Sequence, residues 1–232
     1  MSVTENLTQI KHAIELESQN NLRDANSVTL LAVSKAQEIN KIDEAYLAGQ
    51  RLFGESYLSE ALPKIAALKH RDICWHFIGP IQSNKTKDIA AHFDWVQSVD
   101  RVKIARRLND QRPAELGELN ITLQLNLANE PTKQGFTSDQ LGDVIEQIIG
   151  FDKINLRGFM SIPVKYDDAE KNQRQFEQIA ATYRQYQQQL PSIDTLSIGM
   201  SGDWRQAIAA GSTMIRLGTA LFGKRPANWK KS

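Results

Sequence analysis

Residues 29–35 read Thr-Leu-Leu-Ala-Val-Ser-Lys, a short apolar run that ends in a lysine. Its length and aliphatic content are typical of a buried β-strand. Seven further runs of this kind follow along the chain, and a polar or glycine residue lies at or next to the end of each. We therefore predict strands at residues 29–35, 51–55, 74–79, 95–99, 121–126, 156–162, 195–200 and 212–218.

Amphipathic helical patterns separate most of these strands. Leu7, Ile10 and Ile14 share one face of a helix that precedes the first strand. Asp100 follows the fourth strand and is placed to cap the next helix. Eight strands that alternate with helices predict a single (β/α)8 TIM-type barrel domain over residues 1–232, with an N-terminal helix before the first strand.

An open, doubly wound α/β sheet is the competing fold. The strand count of eight favours the barrel, and no G-x-G-x-x-G motif follows the first strand. No internal repeat, linker or low-complexity block divides the chain.

Composition argues against several classes of protein. The formal net charge of +1 provides no strong field for nucleic acid or an anionic membrane. No apolar run is long enough to cross a bilayer, and the N-terminus carries no signal-peptide core. A single cysteine, Cys74, fits a reducing compartment, and the four histidines show no metal-ligand spacing. We expect a cytoplasmic protein without a metal, nucleic-acid or membrane partner.

Lys35 is the first candidate functional residue. Because strand side chains alternate, Leu31, Val33 and Lys35 share one face. If that face looks into the barrel, the ammonium lies at the mouth above apolar walls, and desolvation lowers its pKa and activates the amine toward an aldehyde. The alternative is a lysine that reaches solvent or pairs with Glu55 at the end of the next strand.

Two segments near the C-terminus are typical of a phosphate site. They are Ser201-Gly202-Asp203, after the seventh strand, and Gly218-Thr219, after the eighth. Barrels often bind phosphate with the loops that follow these two strands. Glycines let backbone N–H groups approach an anion, and hydroxyl groups donate further hydrogen bonds.

Arg216 lies on the eighth strand, just before Gly218. It can contact the ring nitrogen or phosphate of a cofactor, or pair with a carboxylate such as Glu55. An imine-forming lysine opposite a phosphate site suits an aldehyde that carries a phosphate. Pyridoxal 5′-phosphate and the sugar-phosphate substrate of an aldolase both meet this description, so the chemistry alone leaves both open.

Seven motifs, taken in order, closely resemble the pyridoxal phosphate homeostasis protein family. The resemblance runs from about the first strand to Gly223. The motifs are Ala32-Val33-Ser34-Lys35, Phe53-Gly54-Glu55-Ser56-Tyr57, Trp75-His76-Phe77-Ile78-Gly79, Gln82-Ser83-Asn84-Lys85, Lys133-Gln134-Gly135-Phe136, Gly199-Met200-Ser201-Gly202-Asp203, and residues 211–219 (Gly-Ser-Thr-Met-Ile-Arg-Leu-Gly-Thr).

The resemblance implies a fold like the N-terminal barrel of alanine racemase, with pyridoxal 5′-phosphate as the cofactor and Lys35 as the residue that forms the Schiff base. It implies that Arg216 faces the pyridine end of the cofactor. The residues implied around the phosphate are Ser201, Gly202, Gly218 and Thr219, and we extend the predicted cofactor-binding set to Ser56, His76, Asn84 and Met200.

The resemblance also implies a role in vitamin B6 balance, by holding, buffering or delivering the cofactor to apo-enzymes, without catalytic turnover. Racemisation needs an acid or base on each face of the substrate. Alanine racemase takes one of them from an added β-domain of a partner subunit, and we expect no such domain here and therefore a monomer. Tyr57 is a weak candidate for that role. The alternative is a small Schiff-base enzyme, either an aldolase-like lyase or one with vestigial racemase activity.

The sequence departs from the family pattern near the predicted mouth. Ser56 stands where asparagine is usual, Ser59 where glutamine is usual, and Ala36-Gln37 where a second lysine is common. Lys133, two residues before Gly135, is a candidate secondary cofactor contact whose loss slows exchange with acceptor proteins. The alternative is a solvated loop lysine.

Overall fold

The computed structural model describes residues 2–127 and 134–224. Eight parallel strands pair in chain order and the last pairs with the first, so the sheet closes into a barrel. This confirms the predicted fold. The strands are β1 (Thr29–Val33), β2 (Leu52–Glu55), β3 (Cys74–Phe77), β4 (Trp95–Val99), β5 (Leu119–Leu125), β6 (Ile154–Ser161), β7 (Thr195–Ser197) and β8 (Met214–Leu217).

Helices cover the outside of the barrel. The predicted N-terminal helix precedes β1, and a capping box between Ser2 and Glu5 satisfies N–H groups at its start. It packs against helices from both ends of the described chain. The helices are α1 (Val3–Asn20), α2 (Ile39–Leu47), α3 (Leu58–Ala67), α4 (Thr86–His92), α5 (Val102–Gln111), α6 (Leu141–Ile149), α7 (Ala169–Gln189), α8 (Trp204–Ala210) and α9 (Thr219–Phe222).

The apolar core lies mainly between the sheet and the helices. Alternating strand residues such as Phe53 and Phe159 point outward into this layer and are fully buried, as are Phe93 and Phe176. Each side chain of this size contributes about 1.5–3 kcal/mol when it leaves water. The barrel axis is different, because several of the side chains that point inward are polar.

Strand ends and one cap differ from the predictions. The first strand ends at Val33, so Lys35 lies two residues beyond it. The seventh strand is only Thr195–Ser197. The prediction that Asp100 caps α5 is wrong: the N-cap residue is Arg101, and the Asp100 carboxylate instead accepts a hydrogen bond from the Arg101 guanidinium at 3.2 Å.

None of the helices within residues 2–127 and 134–224 combines the length and the apolar character that a bilayer-spanning segment needs. The same residues contain no cluster of three or more His, Cys, Asp or Glu side chains suited to a metal ion.

Candidate functional site

A cavity of about 160 Å³ opens at the carboxyl ends of the strands. This is the end of the barrel at which (β/α)8 proteins bind their ligands. Lys35 lies at one side of it, Ser201 lies in the turn after β7, Thr219 begins α9 after β8, and Arg216 comes from β8. The lining residues are Val33, Lys35, Gln37, Ser56, Ile78, Met160, Ile162, Met200, Ser201, Arg216, Gly218 and Thr219.

Lys35 is part of a tight turn that leaves the barrel mouth. The backbone N–H of Gln37 donates to the carbonyl of Ser34 at 3.1 Å, and Ala36 has a φ of 61°. This left-handed conformation costs a residue other than glycine about 1–2 kcal/mol. Another contact must hold the turn, and Glu60 supplies it: its carboxylate accepts a hydrogen bond from the Ala36 N–H at 2.9 Å.

A buried ion pair holds the other side of Lys35. The Lys64 ammonium donates to the Ser34 carbonyl at 2.9 Å and to the Glu55 carboxylate at 2.9 Å. The same Glu55 oxygen accepts a hydrogen bond from the Ser34 hydroxyl at 2.7 Å. Burial raises the pKa of Glu55, and the Lys64 charge opposes that shift. Since Glu60 and Lys64 are four residues apart on α3, one face of this helix fixes the backbone before and after Lys35.

Arg216 is a buried cation at the cavity. Its guanidinium donates to the carbonyl and hydroxyl of Ser197 at 2.6 and 2.8 Å and to the carbonyl of Ser161 at 2.9 Å. Burial lowers the pKa of Arg216 to about 10, against an opposing effect of Asp203. Arg216 therefore remains charged at neutral pH, and within residues 2–127 and 134–224 its contacts are neutral oxygens, not the Glu55 carboxylate.

The edge formed by the loops after β7 and β8 offers hydrogen-bond donors. The turn at Met200 is fixed by Asp203, whose carboxylate accepts a hydrogen bond from the Met200 N–H at 2.6 Å. A Cβ atom on Gly218 would lie 3.2 Å from the Val33 carbonyl oxygen, so glycine permits the close approach of β8 to β1 here. The hydroxyls of Ser201 and Thr219 complete an edge suited to an anion.

These features place an amine, a permanent cation and a donor-rich edge around one small cavity. An amine can condense with an aldehyde, whereas the cation and the donors favour an anionic or electron-rich partner. The cavity therefore fits a small ligand that carries an aldehyde at one point and an anionic group at another.

Comparisons with known proteins agree with this geometry. Residues 6–226 match the sequence profile described as alanine racemase, N-terminal domain. The pyridoxal phosphate homeostasis protein of Vibrio alginolyticus is 47% identical over 228 residues, which cover 97% of this chain and 98% of that protein. The protein of the same name from Escherichia coli K12 is 42% identical over 226 residues, which cover 96% and 97%. This chain belongs to the pyridoxal phosphate homeostasis protein family.

Solved structures share the fold of this chain. PipY of Synechococcus elongatus PCC7942, solved with PLP bound, has a TM-score of 0.82 and 36% identity, and the match covers 96% of this chain and 100% of PipY. Alanine racemase of Clostridium difficile 630 has a TM-score of 0.70 at 14% identity, with 97% of this chain and 58% of the racemase covered. The second likeness shows the shared barrel alone.

The structure gathers most of the predicted cofactor-binding residues of this homeostasis protein in one cavity. Gly79 allows the ends of β2 and β3 to approach closely at Ser56, which lines the cavity. A Cβ atom at position 79 would lie only 2.0 Å from the Ser56 carbonyl oxygen. The predicted residues that line the cavity are Lys35, Ser56, Met200, Ser201, Arg216, Gly218 and Thr219.

Three predicted residues lie away from the cavity. His76 is fully buried inside the barrel, one layer below Ile78, because strand alternation predicts the correct face but not the depth. Asn84 is exposed in a short 3₁₀ helix, Ser83–Lys85, beyond β3. Gly202 is exposed in the turn after Ser201 and does not line the cavity.

Several lining residues were missed at the sequence level. Met160 on β6 and Ile162, one residue beyond it, both reach the mouth, and the alternation of the sixth predicted strand was a usable signal for them. Gln37 carried no such signal, because it follows the left-handed turn at Ala36. Lys133, predicted as a secondary cofactor contact, lies outside the described residues.

Proposed function

We propose that this protein binds pyridoxal 5′-phosphate in the cavity and holds it as a Schiff base on Lys35. The observation that carries the proposal is that Lys35 and a buried, charged Arg216 line one cavity edged by donors. When bound, the cofactor supplies an aldehyde that condenses with a lysine amine with loss of one water. The PLP-bound structure of PipY supports the choice of ligand over a phosphorylated sugar.

In this proposal each side of the cavity recognises a different part of the ligand. The hydroxyls of Ser201 and Thr219 and the backbone at Gly218 hold the phosphate. Arg216 donates to the pyridine nitrogen. Ser56 and Met200, which also line the cavity, bound the space around the ring.

The proposed role is to hold, buffer or deliver the cofactor to apo-enzymes, without robust catalytic turnover. Arginine remains protonated and only donates hydrogen bonds, so Arg216 does not transfer a proton to the pyridine nitrogen, and the ring is a weaker electron sink. Tyr57, the candidate acid for a racemase, lines a neighbouring groove rather than this cavity. The names of the relatives, which are homeostasis proteins, support the same role.

Absorption spectroscopy of purified protein with added pyridoxal 5′-phosphate tests the binding proposal. The wild type is expected to develop a yellow absorption band. Borohydride reduction should then attach the cofactor permanently to Lys35, as peptide mapping would show. Lys35→Ala should lack the band, whereas Lys87→Ala, which removes an exposed lysine on α4, should retain it. A reduced adduct on another lysine, or no band in the wild type, would overturn the proposal.

Turnover, assembly and location are tested separately. A screen with chiral amino acids and aldol donors is expected to show no sustained reaction, and turnover that disappears in Lys35→Ala would identify the protein as an enzyme. We further propose that residues 1–232 form one domain that acts as a cytoplasmic monomer. Light scattering on the eluting protein and fractionation of cells test these two points.

A further inference from the structure

A chain of polar side chains crosses the interior of the barrel below the cavity. From Arg216 it passes to the Ser197 hydroxyl at 2.8 Å, and from there to the Gln97 side-chain oxygen at 2.7 Å. The Gln97 side-chain nitrogen then lies 2.9 Å from His76 Nδ1. His76, Gln97 and Ser197 are fully buried, and Arg216 is nearly so.

The directions of these hydrogen bonds follow from Arg216, which can only donate. The Ser197 hydroxyl accepts from Arg216 and therefore donates to the Gln97 oxygen. This places the Gln97 amide nitrogen, also an obligatory donor, against His76 Nδ1. His76 must then carry its proton on Nε2, which faces the sulfur of Cys74 at 3.5 Å.

His76 is suited to end such a chain. Its ring stacks on Trp95 with centroids 5.1 Å apart and planes 12° apart, which fixes the orientation of the ring. Burial lowers the pKa of His76 to about 3, so the ring is neutral at physiological pH and Nδ1 remains an acceptor. A charged His76 would oppose the donor from Gln97 and break the order of the chain.

The interior of a (β/α)8 barrel is usually filled by branched apolar side chains. A buried polar chain is unfavourable unless every member is hydrogen-bonded, and a fully satisfied one specifies a single arrangement. The free-energy cost of burying these polar groups is expected to be offset by their effect on the Arg216 guanidinium, which lines the cavity.

We propose that Gln97 and His76 are positioning residues that hold Arg216, through Ser197, in the orientation in which it donates to the pyridine nitrogen. Neither Gln97 nor His76 touches the cavity, so their effect is indirect. This inference rests on the proposed function, since it specifies how one end of the proposed cofactor is recognised.

The test compares pyridoxal 5′-phosphate with its 1-deaza analogue, in which a C–H group replaces the ring nitrogen. Affinities are measured by fluorescence or absorbance titration for the wild type, for Gln97→Met and for His76→Phe. Gln97→Met keeps side-chain length and removes the amide, whereas His76→Phe keeps a ring against Trp95 and removes Nδ1. Thr122→Val is the matched control, because the Thr122 hydroxyl is also buried but donates to the Gln97 backbone carbonyl, at 2.8 Å, and not to its side chain.

The wild type is expected to prefer the natural cofactor. Gln97→Met should reduce this preference by about three- to ten-fold, the equivalent of one hydrogen bond, with the affinity for the deaza analogue nearly unchanged. His76→Phe should act in the same direction, and Thr122→Val should leave the preference intact.

Equal loss of affinity for both ligands in Gln97→Met, or an unchanged preference, would overturn the inference. If Gln97→Met does not fold by circular dichroism, the same ratio measured for His76→Phe decides. Failure of the wild type to bind either ligand is a different result, because it rejects the proposed function itself.

Discussion

The backbone N–H of Ala36 donates to the Glu60 carboxylate at 2.9 Å, and one helical turn further along α3 the Lys64 ammonium donates to the carbonyl of Ser34, also at 2.9 Å. Lys35 lies between these two anchored residues. The conformation of the backbone at the lysine is thus set by a helix outside the barrel and not only by the strand that precedes it.

Removing the Glu60 anchor should loosen the turn at Lys35. We expect Glu60→Ala to lower the free energy of unfolding by about 1–3 kcal/mol, because it removes a hydrogen bond to a charged acceptor. The yellow band formed with pyridoxal 5′-phosphate should need a higher ligand concentration to saturate. Urea denaturation and absorbance titration measure the two effects. Glu60→Gln keeps an oxygen acceptor and should retain much of both, so identical behaviour of the two variants would count against the anchor.

Removing the Lys64 charge should be more damaging. In Lys64→Met the fully buried Glu55 loses the cation that balances it, and we expect a loss of about 3–5 kcal/mol in the free energy of unfolding. The double variant Lys64→Met/Glu55→Gln should recover part of that loss, because no buried charge remains. A double variant less stable than Lys64→Met would show that the pair acts otherwise. Urea denaturation of both variants at pH 7 measures the difference.

His76 should make stability depend on pH. Its pKa falls from an ordinary 6.5 to about 3 on folding, so the unfolded chain binds a proton that the folded barrel rejects between these values. The stabilising contribution is therefore present above about pH 6.5 and is lost as the pH falls toward 3. Between pH 7 and pH 5 the wild type should lose about 2 kcal/mol more than His76→Phe. Effects of Glu55 cancel in this comparison, and parallel losses in the two proteins would contradict it.

The left-handed residue after Lys35 offers a substitution with the opposite sign. Ala36→Gly should raise the free energy of unfolding by about 0.5–1 kcal/mol, because relief of backbone strain exceeds the added entropy of the unfolded chain. Ala66→Gly, at an exposed helical position of α3, should lower it by about 0.5–1 kcal/mol. Thermal or urea denaturation of both variants measures the sign of each change in the free energy of unfolding. A destabilised Ala36→Gly would mean that the turn is not strained.

The barrel could be predicted from sequence because its strands and helices have distinct patterns of apolar residues. Most residues of the site could also be predicted, since polar and glycine residues at the strand ends converge on one face. The depth of His76 could not, because alternation specifies a face whereas depth depends on the stagger between strands.

The anchor formed by Glu60 and Lys64 was also invisible in the sequence. An acidic and a basic residue four positions apart on a helix usually pair at a solvated surface. Only tertiary packing shows that this pair lies beneath Ser34 and Ala36 and reaches the backbone on both sides of Lys35. The left-handed turn at Ala36 could not be predicted either, because glycine or asparagine, and not alanine, is typical of this conformation.

The attachment of Lys35 to α3 also links the outer surface of the protein to its interior. Side chains of one helix, α3, make both hydrogen bonds that flank Lys35. A tilt or shift of α3 would therefore move the backbone at Lys35. In the proposed Schiff base at Lys35, a partner that contacts the exposed side of α3 would therefore alter cofactor binding without entering the mouth.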